Sequence, residues 1–305
     1  MTGTFTLAHF SDIHLEPDPG FHPRYWNVKR ALGWLNWHRG RKNVHMRDVA
    51  DRLIADALRL RADHIVVTGD LLTLGLPAEY ERAFAWLKNI GPPSMVTVVP
   101  GNHDIYSSLK GDRGVARWAD YMGGNIETHA FPFVRRIGPL ALVGLNSAEE
   151  TPPFVAAGRL GPHQIEVASQ MLQSMGDEGV VRVLLIHHPP LPGLADHRRA
   201  LRDAAHLSRA IEKNGAELVL YGHNHRERLD WLGGAGRAIP VVGASSSSAA
   251  RAHRNEPLAR YNLFTFFTGG GRVRIRHTVR GLQSLKGSIV QLSETVLTPE
   301  NPAGA

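Results

Sequence analysis

Two histidines, His223 and His225, lie two residues apart directly after the short apolar run 217–221. A buried core rarely accommodates such a pair, because an imidazole nitrogen taken out of water needs a hydrogen-bond partner or a metal ion. A second pair at the same spacing, Asp12 and His14, follows a strand-like run near the N-terminus. Imidazole and carboxylate ligands suit divalent transition metals, so both pairs are candidate metal ligands.

Three further strand-like runs end in residues of the same kinds. Asp70, the segment Gly101-Asn-His-Asp104 and the pair His187-His188 each follow an apolar run. Side chains at the carboxyl ends of strands meet at the edge of an α/β sheet where ligands bind. Two neighbouring divalent ions need a bridging anion, and the two oxygens of a carboxylate such as Asp70 can point at different ions. The five loops together predict a two-metal site.

The residues around these loops also fit a crowded site. A glycine precedes Asp70, Asn102 and His223, and glycine allows tight turns in which the backbone comes close to a ligand. Asn102 offers an amide oxygen, which adds coordination without adding negative charge. The pattern therefore predicts mixed nitrogen and oxygen coordination.

Elements that could position these loops alternate along the chain. Short apolar runs bounded by Gly, Pro or Asp predict buried strands, and apolar residues at i, i+3 and i+4 predict helices. The predicted strands are 6–10, 64–68, 95–99, 140–144, 181–186, 218–221 and 239–243, and the predicted helices are 49–60, 79–89, 161–175 and 201–214. Residues 261–267 and 272–277 predict an antiparallel hairpin joined by the turn 268–271. This alternation indicates an α/β layered fold.

The composition bounds the chemistry and the partners. The 305 residues include no cysteine, which excludes disulfides and thiolate metal sites and leaves Mn, Fe, Zn or Ni held by His, Asp, Glu or Asn. The net charge of +7 favours anionic partners or serves solubility. We find no secretory signal and no run of the length that a membrane span requires, so we expect a soluble, cytoplasmic protein.

In this order and in these contexts, the motif residues resemble the signature of the calcineurin-like metallophosphoesterases. The matching segments are Asp12-x-His14, Gly69-Asp70, Gly101-Asn102-His103-Asp104, His187 and Gly222-His223-x-His225. The resemblance covers residues 12–225 of the chain. It implies a four-layer α/β/β/α sandwich with mixed sheets and a site for two divalent metal ions.

The resemblance also implies roles for the matching residues. One ion would be held by Asp12, His14, Asp70 and His225. The second would be held by Asp70, Asn102, His187 and His223, with Asp70 bridging. A metal-bound hydroxide would attack phosphorus in line. His103 would stabilise the transition-state charge or protonate the leaving oxygen, and Asp104 would orient His103 or its loop.

The remaining candidates have weaker support. His188, Asn146 and His197 lie in loops after strands and are candidate substrate contacts. For eight of the histidines that match no motif we expect ordinary packing or surface positions: His9, His38, His45, His129, His163, His206, His253 and His277.

We expect one metallophosphoesterase domain over residues 1–281, with an insertion at 22–42 and a loosely held C-terminal tail at 282–305. The insertion is aromatic and basic. It predicts either an amphipathic helix with Trp34 and Trp37 packed on the sandwich and its basic residues in water, or a lid beside the metals. Trp and Tyr mixed with Lys and Arg also suit a membrane surface or a lipid-linked phosphate.

The resemblance favours a phosphodiesterase of the cyclic nucleotide or glycerophosphodiester type, acting on a small-molecule phosphate ester. One alternative is a pyrophosphohydrolase of a nucleotide-linked lipid, similar to the UDP-2,3-diacylglucosamine hydrolases, with peripheral contact with the inner membrane. Another is a catalytically inactive scaffold of the same fold. Nucleic acid is the less favoured partner, because the basic residues are scattered and no added DNA-binding domain is recognised. The oligomeric state stays open.

Overall fold

A computed structural model describes residues 3–17, 23–107, 112–123, 131–234, 237–253, 255–269 and 272–297 of the chain. Its strands are β1 (Gly3–Phe10), β2 (His64–Val67), β3 (Val96–Val98), β4 (Phe133–Ile137), β5 (Leu140–Gly144), β6 (Val181–Leu185), β7 (Leu218–Tyr221), β8 (Arg228–Leu232), β9 (Ile239–Gly243), β10 (Arg260–Gly269), β11 (Arg272–Leu282) and β12 (Ile289–Leu297). Its α-helices are α1 (Val28–Arg39), α2 (Arg47–Arg59), α3 (Pro77–Ile90), α4 (Pro162–Asp177) and α5 (Ala204–Asn214). Short 3₁₀ helices lie at Pro23–Tyr25, Arg41–Asn43 and Gly114–Tyr121.

The strands form two mixed sheets of six strands each. Sheet 1 has the order β12-β11-β10-β1-β2-β3, in which β1, β2 and β3 are parallel and the other pairs are antiparallel. Sheet 2 has the order β4-β5-β6-β7-β9-β8, with parallel pairing from β5 to β9 and an antiparallel strand at each edge. The parallel strands of each sheet therefore end at a common edge, where the loops with the motif residues begin.

Alternate residues of the central strands pack into two different hydrophobic cores. In β6, Val183 packs in the core between the sheets, whereas Leu184 packs with α4 and α5 on the outer face of sheet 2. The cluster that contains Val183 extends through sheet 1 to Leu53 of α2 and Leu87 of α3, and α2 packs on β10 and β12. Because side chains alternate across a strand, each continuous apolar run serves both faces. The four-layer α/β/β/α sandwich is confirmed.

The predicted strands, helices and hairpin all form, with small shifts at their ends. The prediction of a loose tail from residue 282 is wrong for 289–297, since these residues form β12 and pair with β11. Strands β4 and β8 were also not predicted. All three are edge strands in which polar residues interrupt the apolar run, so their sequences lack the signal of a buried strand. Residues 298–305 lie outside the described part of the chain.

The aromatic and basic insertion forms α1. Its first turn is capped by Asn27, whose side chain accepts a hydrogen bond from the backbone N–H of Arg30 at 2.9 Å. Trp37 is buried as predicted. The expectation that the basic residues face water is wrong for Arg30, which is buried and donates to the backbone carbonyls of Tyr25, Leu74, Gly75 and Ser107. None of the described helices is both long and apolar enough to cross a membrane.

Candidate metal centre

Backbone hydrogen bonds hold four of the five motif loops in two pairs. The N–H groups of Asp12 and His14 donate to the carbonyls of Gly69 and Asp70 at 3.0 and 2.9 Å, which joins the loops after β1 and β2. The N–H of Gly222 donates to the carbonyl of His187 at 3.0 Å and joins the loops after β6 and β7. The side chains of both sheets therefore converge on one place.

The backbone of these loops is strained at the candidate ligands. Five of them have a left-handed φ: Asp12 (54°), His14 (47°), Asp70 (54°), His223 (68°) and His225 (52°). This conformation is uncommon for residues other than glycine, and strained residues cluster at functional sites, where the surrounding structure compensates for the strain. The left-handed residues turn the backbone so that neighbouring side chains point towards the same place, which a regular strand or helix would not allow.

Two glycines make the close approach of the loops feasible. A Cβ atom at Gly222 would collide with the side chains of Ser11 and Asp12, and a Cβ at Gly101 would collide with the side chain of Asp70. A larger residue at either position would push a candidate ligand away. The glycines therefore do what the sequence predicted of them.

The first group of candidate ligand atoms comes from the loops after β1, β2 and β7. Nε2 of His225 lies 3.2 Å from Nε2 of His14 and 3.2 Å from Oδ1 of Asp12. Nε2 of His14 lies 4.0 Å from the same Asp12 oxygen and 3.9 Å from Oδ2 of Asp70. These atoms surround one point at the separations expected of ligands to one ion.

The second group lies on the other side of Asp70. Nε2 of His187 is 3.1 Å from Oδ1 of Asn102, 3.2 Å from Nδ1 of His223 and 3.4 Å from Oδ2 of Asp70. Asp70 Oδ2 thus lies between the two groups. We expected its two oxygens to point at different ions, but Oδ1 instead accepts the backbone N–H of His103 at 2.7 Å.

Protein groups fix the orientation of three of these imidazoles through Nδ1. The partner of Nδ1 is the Leu72 carbonyl at 3.1 Å for His14, the Thr68 carbonyl at 2.7 Å for His187, and a carboxylate oxygen of Glu256 at 3.1 Å for His225. A carbonyl or carboxylate partner places the proton on Nδ1 and leaves the Nε2 lone pair for a metal.

Charge and unsatisfied polar atoms indicate that the site fits cations. Burial opposes a charge on His225, yet Asp12 and Glu256 raise its pKa to about 9, and Asp70 likewise raises the pKa of His187 to about 9. Oδ1 of Asp12 and Nε2 of His223 are buried without a hydrogen-bond partner in the described structure. The His and Asp groups of the site could therefore hold metal ions.

The two candidate catalytic residues, His103 and Asp104, differ in whether they face the open side of the site. His103 lines the open side of the site, and Nδ1 contacts the Thr73 carbonyl at 2.7 Å, which leaves Nε2 free. Burial lowers the pKa of His103 to about 4, so its imidazole is neutral at pH 7. Asp104 is buried and accepts the N–H groups of Gly101 and Leu72 at 2.8 and 3.0 Å. It ties two motif loops together and acts through them.

The three weaker candidates do not reach the open side of the site. His188 is fully buried behind His187 and His223, and its nitrogens contact the Ser147 hydroxyl at 2.8 Å and the Ala156 carbonyl at 3.1 Å. Asn146 accepts the N–H of Ala148 at 3.0 Å, within its own loop. His197 is exposed. None of the three lines the open cleft above the two groups of candidate ligands.

Several residues at the site were not predicted. His45, expected to be unrelated to function, lies beside His14 and His225, and His253 lines the same cleft. Glu256 and Arg199 also line it, and Arg199 donates to the carbonyl of His223 at 2.8 Å. These residues follow no strand and match no motif, so only the packing of distant segments brings them together. His129 lies outside the described residues.

A cleft with two arms opens above the two groups. The apolar arm, of about 510 Å³, includes Leu32, Leu35, Pro153 and Phe154 in its lining. The polar arm, of about 660 Å³, includes Arg251, His253 and Glu256. Both arms share Asn102, His103 and three arginines, Arg39, Arg41 and Arg199. Arginines at the junction would attract and hold an anionic group such as phosphate.

Residues 5–227 match the model of the calcineurin-like phosphoesterase family. The match covers most of the chain, and the chain belongs to this family of metal-dependent hydrolases. The motif loops all lie within the matched residues.

Two relatives are named as phosphodiesterases. A probable cyclic nucleotide phosphodiesterase from Synechococcus is 28% identical over 75% of this chain and 77% of its own length. The glycerophosphodiester phosphodiesterase GpdQ from Enterobacter lignolyticus is 27% identical over 72% of this chain and 70% of its own length. Among solved structures, a dimetal phosphatase from Danio rerio shares the fold, with a TM-score of 0.64 and 15% identity over 97% of this chain and 99% of that chain.

Proposed function

We propose that the chain is a two-metal phosphodiesterase. The observation that carries the proposal is the position of Asp70 Oδ2, 3.9 Å from Nε2 of His14 and 3.4 Å from Nε2 of His187. One ion would be held by Asp12, His14, Asp70 and His225, and the other by Asp70, Asn102, His187 and His223. Two such ions, when bound, supply a nucleophile from water and positive charge for the transition state.

The protein groups around the ions would orient the substrate. The arginines at the junction of the two arms would bind the phosphate oxygens. His103 would hold a hydrogen bond or accept a proton at Nε2, since Nδ1 is engaged with Thr73. Asp104 would keep the loops of Asp70 and Asn102 in register.

The two arms favour a diester over a monoester. A phosphodiester carries a second substituent on phosphorus, and the apolar arm adds about 510 Å³ of space next to the polar arm that contains the candidate ligands. The relatives named as phosphodiesterases support the same class. Cyclic nucleotides and glycerophosphodiesters are the substrates to test first.

The test is hydrolysis of bis-p-nitrophenyl phosphate and of p-nitrophenyl phosphate by protein stripped of metal and then supplied with Mn²⁺. We expect faster turnover of the diester and loss of activity on renewed chelation. A matched pair of variants is His14→Gln, which should be inactive, and His38→Gln, which alters an exposed histidine and should be as active as the wild type. Absence of both hydrolysis and bound metal would instead identify an inactive scaffold.

A second candidate is hydrolysis of a lipid-linked phosphate ester, such as the pyrophosphate bond of a nucleotide-linked lipid. The observation that favours it is the exposure of large apolar side chains at the apolar arm, where Phe154 is 78% exposed and Leu35 is 43% exposed. An acyl chain of a substrate, or a membrane surface, would cover them.

Substrates of increasing alkyl chain length separate the two candidates. For a lipid-linked substrate, kcat/KM should rise with chain length, and Phe154→Ser should remove the rise without changing the value for the shortest substrate. Leu58→Ser is the control, because Leu58 is also an exposed apolar residue, on α2 and outside the apolar arm. If chain length has no effect on kcat/KM, the second candidate is wrong and the first is unaffected.

A further inference from the structure

We infer that His45 is an additional ligand of the first metal ion, on the basis of the proposed two-metal function. His45 is 3% exposed, and its ring centroid lies 4.6 Å from that of His14 and 5.5 Å from that of His225. One candidate ligand atom from each of the three imidazoles lies within 4.8 Å of the others. Three imidazoles facing one point inside a protein need a cation or hydrogen-bond acceptors between them.

Two serine hydroxyl groups hold the imidazole of His45 at Nδ1, the nitrogen that carbonyl or carboxylate oxygens hold in His14, His187 and His225. Nδ1 of His45 lies 3.0 Å from the hydroxyl of Ser248 and 3.3 Å from that of Ser246. Engagement of Nδ1 leaves Nε2 as the nitrogen that can bind an ion. The Ser246 hydroxyl also donates to the backbone carbonyl of Asp12 at 2.7 Å, so one loop positions two ligands of the same ion.

This role accounts for the run of four serines at 245–248, which the proposed catalytic chemistry does not use. All four are buried although their side chains are polar. The backbone on either side of His45 pairs with this run, through Met46 N–H to the Ser248 carbonyl at 3.0 Å and Ala250 N–H to the Val44 carbonyl at 2.7 Å. The serine loop therefore fixes both the backbone and the imidazole of His45 against the site.

His45 would make the two ion sites unequal. The first ion would gain a third imidazole in addition to His14 and His225, whereas the second would have His187 and His223. Imidazole favours Zn, Fe and Ni over the harder Mg and Ca. The first site should therefore bind transition metals more tightly than its four motif ligands alone would.

The test is titration of the metal-stripped protein with Mn²⁺ alone. Binding is monitored by calorimetry and by the electron paramagnetic resonance signal of free Mn²⁺. The wild type should bind two ions, and Asp12→Ala should lose the first, which identifies that ion. His45→Gln should weaken binding of the first ion by more than the about 10–100-fold known for groups that only support metal ligands, and leave binding of the second unchanged. His64→Gln is the matched control, since His64 is also buried and contacts a hydroxyl, that of Thr97 at 2.8 Å.

The outcomes separate this inference from the function on which it rests. If Asp12→Ala loses the first ion while His45→Gln binds it within twofold of the wild type, the His45 inference is wrong and the proposed function stands. If Asp12→Ala binds two ions like the wild type, both are wrong. Should His45→Gln not fold, as judged by circular dichroism in chelator, His45→Asn replaces it. That variant keeps a polar group near the Ser248 hydroxyl but removes Nε2, and an affinity for the first ion within twofold of the wild type would overturn the inference.

Discussion

Two sets of buried histidines occupy different regions of this molecule. The core set, His9, His64 and His277, lies within strands of sheet 1 and contacts Thr or Asn side chains of neighbouring strands at 2.8 to 3.2 Å. The site set, His14, His187, His223 and His225, lies in the loops after the strands. Carbonyl or carboxylate oxygens hold Nδ1 of His14, His187 and His225, and Nε2 of these three faces other candidate ligands. Both sets are equally buried, so burial alone does not distinguish them.

The difference lies in the neighbouring charge and in the backbone. Burial lowers the pKa of His9 to about 3 and those of His64 and His277 to about 4, so these imidazoles are neutral. In the site set, carboxylates raise the pKa values of His187 and His225 to about 9, whereas burial lowers those of His14 and His223 as it does in the core set. Only the site set includes members with a left-handed φ among the described residues. A buried histidine therefore indicates a metal site when carboxylates and strained loops surround it.

The largest expected effect comes from removing the charge of Asp70, the carboxylate that lies between the two groups of candidate ligands. Asp70→Asn keeps the shape of the side chain but weakens both ion sites, because Oδ2 faces ligands of each group. We expect activity to fall by roughly 10³-fold or more, since metal ions supply several kcal/mol of transition-state stabilisation. Metal content, measured by inductively coupled plasma mass spectrometry, should fall below two ions per chain.

The control for this variant is Asp56→Asn. Asp56 is also a buried carboxylate, but it pairs with Arg280 and Tyr261 away from the motif loops. This change should lower stability and leave metal content unchanged. Two bound ions and wild-type activity in Asp70→Asn would show that Asp70 does not bridge.

Much of the candidate metal site could be predicted from the sequence, because most of its candidate ligands follow predicted strands. The carboxyl ends of parallel strands must meet at one edge, so Asp12, Asp70 and His187 could be brought together by topology alone. His45 and Glu256 could not, since they approach the site through irregular segments. His45 contacts Ser248, 203 positions away, and Glu256 contacts His225, 31 positions away. The identity of the bridging oxygen likewise depends on a loop hydrogen bond to His103, which no sequence pattern encodes.

The fold shows the same division between local and tertiary signals. Central strands such as β5 and β7 have continuous apolar runs because both faces are buried, and the runs predict them. In β12, most residues stay exposed at the edge of sheet 1, so its sequence is polar and predicts a loose tail instead of a strand. The strand β12 forms through its pairing with β11 and not through an apolar run of its own.

An intermediate effect is expected for His103, which faces the cleft yet is not needed to hold an ion in our assignment. His103→Gln should lower kcat by about 10²–10⁴-fold, the range for a residue that moves a proton or stabilises charge, and retain two ions. Turnover and metal content should be measured on the same sample. A nitrogen of His103 that could bind a metal lies within 4.8 Å of the corresponding atoms of His14 and Asp70. Loss of one ion in this variant would therefore reassign His103 as a ligand and widen the site set.

The smallest effect tests the core set. Because the folded-state pKa of His64 is about 4 and its ordinary value is 6.5, the unfolded chain binds more protons between these pH values. The contribution of His64 to the free energy of unfolding is thus complete above pH 6.5 and is lost as pH falls towards 4, by about 3 kcal/mol at most. His64→Gln should reduce the slope of unfolding free energy between pH 7 and 5, measured by urea denaturation in chelator. Its turnover with saturating Mn²⁺ should equal that of the wild type, and the exposed His38→Gln should keep the original slope. A loss of bound metal in His64→Gln would erase the distinction between the two sets, since a histidine far from the motif loops would then support the ions.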